Sequence, residues 1–159
     1  MIEVAVRFRR RSRQTAVDGT VGPLTFAWQA RSKAGHGVEI DGTWGADHVR
    51  MEVHERRLGT GVAIVTGTVG TDEVHLDISR HLQLGLDVSG TIGNDDIGLR
   101  LDRPVGSRRR IVHRQPQPDA TLQVAWQNLG GTLSGGVTRS ADALAATLVG
   151  LAAADTGTR

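Results

Sequence analysis

The side chains able to do chemistry fall into three sets: six histidines, two runs of arginine and a handful of large apolar residues. His48 and His54 stand six apart, and so do His75 and His81. Even spacing puts both members of a pair on one side of an extended strand, beside Glu52 or Asp77. Imidazole with carboxylate is a ligand set for zinc-like metals. Six strand residues span roughly 20 Å, so one ion cannot take both members of a pair. Only a combination across strands would serve, and scattered surface histidines explain the pattern better. No metal is expected. The absence of cysteine removes disulfide and thiolate chemistry as well.

Catalytic arrangements are no stronger. Serine, histidine and aspartate all occur, but no Gly-x-Ser-x-Gly elbow frames a nucleophile. Asp72-Glu73 and Asp95-Asp96 fall at expected hairpin turns, where acidic residues serve the turn conformation. From Gly131 to Gly136 the glycine spacing matches the first half of a phosphate-binding loop. Val137-Thr138 then stand where Lys-Ser/Thr is required. That segment is expected to be a flexible hinge. The balance is against an enzyme, and no cofactor is expected.

The arginines carry the clearest partner signal. Arg7, Arg9, Arg10, Arg11 and Arg13 form one run, and Arg103, Arg108, Arg109, Arg110 and Arg114 the other, with no acid between Asp102 and Asp119. Guanidinium groups suit phosphate or carboxylate through paired hydrogen bonds. Arg9, Arg10, Arg11, Arg108, Arg109 and Arg110 are therefore the candidates for holding an anionic partner, nucleic acid included. There is no tyrosine, and only Phe8 lies beside a run, so aromatic stackers for bases are lacking. The net charge of +2 is small. Anion binding requires both runs to share one face. A solvated strand edge that blocks sheet-to-sheet association is the other reading of Arg9 and Arg11.

These residues sit on a repeated element. Gly-Thr-(Val/Trp/Ile)-Gly occurs at Gly19–Gly22, Gly42–Gly45, Gly67–Gly70 and Gly90–Gly93. Alternating apolar stretches flank each copy, such as Val38, Ile40, Gly42, Trp44 and then Val49, Met51, Val53. A fixed period and a period-two pattern predict one β-hairpin used repeatedly. The first glycine of each copy falls on the apolar face, where it marks a bend or makes room for a bulky neighbour. Four such positions predict a tightly coiled sheet. The second glycine falls at the turn, where positive φ is needed.

The fold expected is all-β: an antiparallel meander of about nine to eleven strands, forming a small closed or nearly closed barrel with one C-terminal α-helix. A β-sandwich is the alternative. At 159 residues and 17.0 kDa, one domain is expected. Residues 1–139 form the barrel-like domain. Residues 140–159 carry the helix, packed on the domain or on a partner subunit. Ser140 is the expected N-cap, with Asp142 in the first turn. Ala141, Leu144, Ala145, Leu148, Leu151 and Ala152 recur at helical spacing, and Gly150 weakens the pattern. A barrel of this size can enclose a small apolar ligand, which Phe26, Trp28, Trp44, Met51 and Trp126 would line. The reading favoured is that these side chains fill the interior.

No stretch approaches the ~20 apolar residues of a membrane-spanning helix, so no membrane partner is expected. Met1-Ile2-Glu3-Val4 lacks a signal-peptide pattern, and a cytoplasmic site is expected. The function expected is a non-catalytic interaction or assembly module, homo-oligomeric. The alternatives are a barrel that binds a small hydrophobic ligand, or an enzyme in such a cavity, and an anion or nucleic-acid binder acting through the arginines.

Overall fold

The computed structural model describes residues 1–33, 37–55, 62–81, 85–102, 108–113, 121–127 and 130–157. Residues 57–61 and 115–119, whose glycine- and proline-containing sequences predict a connection and a linker, lie outside them, as do Arg103 and Arg114. The strands are β1 (Ile2–Arg11), β2 (Gln14–Val21), β3 (Leu24–Ser32), β4 (Gly37–Trp44), β5 (Asp47–Glu55) and β6 (Ala63–Val69). They continue with β7 (Asp72–His81), β8 (Gly85–Ile92), β9 (Asp95–Leu101), β10 (Arg108–His113), β11 (Thr121–Gln127) and β12 (Gly130–Val137). One helix, α1 (Ser140–Gly157), follows. Each strand pairs antiparallel with its sequence neighbours, and β1 pairs with β12, so the meander closes into a barrel.

The repeat is legible in the geometry. Gly22, Gly45, Gly70 and Gly93 have φ between 57 and 62°. Each donates its backbone N–H, at 2.8 Å, to a carbonyl of the preceding strand pair, as Gly45 does to Thr25 and Gly70 to His48. These turns gather at one rim. The first glycines, Gly19, Gly42, Gly67 and Gly90, point inward, and the backbone of the preceding strand occupies the space a side chain would take. A Cβ on Gly42 would fall onto the Ala27 carbonyl oxygen and lie 2.7 Å from the Trp28 Cα. Gly67 stands in the same relation to Arg50 and Met51, and Gly90 to His75 and Leu76. Trp28, Met51 and Leu76 are the direct cross-strand partners of Gly42, Gly67 and Gly90, and each is fully buried. Strands thus fold over one another at the glycines, which coils the sheet enough to close.

Ala141 to Gly150 are all buried, and the seven residues from Ala143 to Val149 are each at most 2 % exposed. Seven residues cover every direction around a helix, so these turns of α1 are enclosed on all sides. It packs against β1, β8, β9, β11 and β12, and its later turns face β2 to β6 across a small gap. The helix therefore runs through the lumen and shares one core with the strands. Its 18 residues make a rod of about 27 Å, close to the length of the 8–10-residue strands. Alanines keep it narrow, and Gly150 presents bare backbone to the Phe8 ring: a Cβ there would lie 3.0 Å from Phe8 Cζ. The buried Thr147 hydroxyl donates to the Ala143 carbonyl within the helix at 2.8 Å.

The glycine-rich segment before the helix is not a hinge or a phosphate loop. It is β12, hydrogen-bonded on both sides to β1 and β11. Its glycines let neighbours close in, with the Trp126 ring lying over Gly131.

Replacing Gly42 by Ala is expected to cost about 2–3 kcal/mol in urea unfolding, because backbone on the adjoining strand must move. Gly37→Ala, where among the described residues a Cβ meets only the Val53 carbonyl at 3.5 Å, is the control and should stay within about 0.5 kcal/mol. Truncation before Ser140 removes the centre of the core. The shortened chain is expected to lose its cooperative thermal transition and bind a hydrophobic dye.

Candidate functional site

The closed sheet decides which side chains share a surface. The ligand-lining candidates Phe26, Trp28 and Trp44 form one cluster, with ring centroids 4.8–5.8 Å apart. Met51 is fully buried. Trp126 stands apart from them and stacks at 4.9 Å on Phe8 of β1. These residues pack on one another and on the helix-filled core. Among the described residues a gap of about 50 Å³ lies at the rim opposite the glycine turns. Arg10, Thr15, Val38, Glu55, Leu148 and Leu151 line it. Drug-sized ligands occupy pockets of about 300 Å³ and more.

At the glycine-turn rim, α1 enters through a polar clasp. Asp142 is wholly buried in the first helical turn, where a carboxylate meets the positive end of the helix. Arg139 grips it with two bonds, Nη2 to Oδ1 at 2.9 Å and Nε to Oδ2 at 3.2 Å. The same guanidinium donates to the Asp96 carbonyl at 2.6 Å and sits 3.6 Å from the Asp95 carboxylate. His113 of β10 lies 3.7 Å from Asp142. The hydrogen bond to Asp142 raises the Arg139 pKa above its ordinary value. The clasp joins helix, β9 and β10, which is a fastening rather than an exposed reactive group.

The described histidine side chains do not converge. His48 meets Asp41 at 3.0 Å and His54 meets Glu52 at 3.2 Å, both in open water. Thr66 lies in register between Glu52 and His75, and Ile64 between His54 and Asp77, so β6 separates each suggested cross-strand set. Among the described residues no three histidine, aspartate or glutamate side chains form a metal-sized group. His48 and Asp41 border an outer hollow of about 380 Å³ with Arg31, Glu39 and Arg50. Its mixed charges cancel. Nearby, Lys33 donates to Glu52 at 2.9 Å, and that bond holds the Glu52 carboxyl below its ordinary pKa.

The arginine candidates separate by strand alternation. Arg9, Arg11, Arg108 and Arg110 face outward and are exposed. Arg10 and Arg109 do not. Arg10 points into the mouth gap, and Arg109 is buried, with its Nε donating to the Asp102 carbonyl at 2.9 Å. Burial lowers the Arg109 pKa from its ordinary value. Neighbours in a strand cannot share a face, so each run contributes alternate members. Arg7, not among the candidates, faces outward with Arg9, and both pair with Asp18 of β2, at 3.2 and 2.9 Å.

What no strand pattern shows is the seam. Because β1 pairs with β12, the two runs come onto one side of the barrel with only β12 and β11 between them. In register, Arg7 adjoins Thr132, Thr132 adjoins Ala125, and Ala125 adjoins Arg108. The row beside it runs Ala5, Ser134, Gln123, Arg110. Neither β11 nor β12 contains a charged residue.

The chain matches no known protein-family model, no curated protein and no solved structure. No helix among the described residues is long and apolar enough to cross a membrane. Around the barrel, the only large apolar residue exposed among the described residues is Met1.

The Arg139–Asp142 clasp can be tested by a double-mutant cycle. Arg139→Ala and Asp142→Ala should each destabilise the fold, and their coupling in denaturant melts should reach about 2 kcal/mol. Additive effects would mean that the pair does not fasten the helix.

Proposed function

We propose that this protein is a non-catalytic interaction module built on a plugged β-barrel, with its partners held on the outer wall and rims. The observation that supports this is the occupied lumen: α1 fills the space in which a barrel protein ordinarily keeps a ligand or a reaction. The gap of about 50 Å³ beside Leu148 and Leu151 has room for a few waters. Self-association belongs to this reading, and it would use the wall or rims, since the helix turns from Ala143 to Val149 have no free face. A cysteine-free chain is consistent with a reducing, cytoplasmic site.

A small-molecule reading has one observation in its favour. The indole N–H groups of Trp28 and Trp126 are buried without an acceptor among the described residues. Buried donors of this kind normally find a partner. A bound molecule that displaced part of the core could supply one.

Native mass spectrometry of protein purified without added ligand separates the two. The expected result is a monomer or defined oligomer at the mass of the chain alone. A stoichiometric small-molecule adduct would overturn the module reading and return attention to the tryptophans.

A further inference from the structure

We propose that the wall formed by β10, β11, β12 and β1 is a binding face for the sugar–phosphate backbones of double-stranded DNA. The inference rests on the module reading above and names its partner. Its basis is charge placed by register. On the outward side of these four strands stand Arg7, Arg9, Arg11, Arg108 and Arg110, against one carboxylate, Glu3. That side carries +4 in a chain whose net charge is +2, so the remainder of the chain sums to −2. Asp18, on the neighbouring β2, is shared between Arg7 and Arg9 and cannot neutralise both. Among the described residues no ion pair engages Arg108 or Arg110.

The spacing argues for a duplex. Arg7 and Arg108 lie in one row, three strand spacings apart, or about 14 Å along the sheet. The two backbones bordering the B-DNA major groove are separated by about 12 Å. A convex wall with an arginine row on each flank can therefore set one row against each backbone. Between the rows, Gln123, Thr132 and Ser134 offer amide and hydroxyl groups of the kind that bond phosphate and sugar oxygens. Gly130 and Ala125 add little bulk, so the backbones can come close. Single strands are usually held by aromatic stacking, and the outer side of β11 and β12 has no aromatic residue to offer. The A-form major groove of RNA is deep and narrow, which suits this wall less well. Contacts confined to the backbone carry little sequence preference.

The test is fluorescence anisotropy with a labelled short DNA duplex of arbitrary sequence, using the full chain. Binding is expected at low salt, with log K falling against log salt at a slope of about −4 for four to five arginine–phosphate contacts. Arg110→Glu should weaken binding about tenfold and Arg108→Glu/Arg110→Glu further. Arg50→Glu, with the same charge change on β5 across the barrel, should stay within about twofold. All three sites are exposed, so unchanged thermal melting is the check that the variants fold. No binding at low salt would overturn the proposal, and so would equal losses from Arg50→Glu and Arg110→Glu. Tighter binding of a single strand or a sulfated polysaccharide than of the duplex would overturn the choice of partner. Native mass spectrometry of the same preparation keeps the premises apart. Failed duplex binding without an adduct sinks this assignment alone, whereas a small-molecule adduct sinks the module reading beneath it.

Discussion

A closed sheet of twelve strands encloses more space than its own inward side chains fill. Eight-stranded barrels are just wide enough for side chains to pack the interior, and wider ones need a plug or hold a channel. Here the plug is the chain's own C-terminal helix, and the rest of the structure follows from that. Alanine-rich sequence keeps α1 narrow enough for the lumen. Phe8 reaches the bare backbone of Gly150, and Asp142 can be buried only because Arg139 neutralises it at the rim. The same enclosure takes the turns from Ala143 to Val149 off the surface and leaves the outer wall as the exposed face of the barrel.

Closure also sets the chemistry of that wall. In an open meander β1 and β12 would be distant edges, each with unpaired backbone groups inviting association. Pairing them removes both edges and places two arginine runs, some hundred residues apart in sequence, on one side of the molecule. The alternation of strand side chains then sorts each run. Arg9, Arg11, Arg108 and Arg110 go out to water, while Arg10 and Arg109 turn toward the interior. Counting arginines in a run therefore overstates the charge any partner meets.

Much of the fold was legible in the chain. Gly-Thr-x-Gly at a period of 23 to 25 residues identified the hairpins, the turn glycines and the inward glycines, because each has a strict local requirement. The start of the helix at Ser140 was equally local. The β12 segment was harder: seven residues with four glycines look like a linker, and only pairing on both sides makes a strand of them. Strand number ran higher than the nine to eleven expected for the same reason.

The sequence by itself determined the local geometry: which residues alternate, where the backbone turns, and where a side chain cannot be tolerated. These depend on φ, on side-chain volume and on a two-residue period, all encoded within a few positions. The tertiary structure alone decided the placement of α1 and the composition of the outer face. From Ala143 to Ala154 the helix residues are apolar or small on every side, a pattern that fits burial against any apolar surroundings and does not say which. Only the volume inside a closed barrel, fixed by strand number and tilt, puts the helix there. The meeting of Arg7 with Arg108 across β12 and β11 is likewise a consequence of closure, since inter-strand register joins positions that no local rule relates.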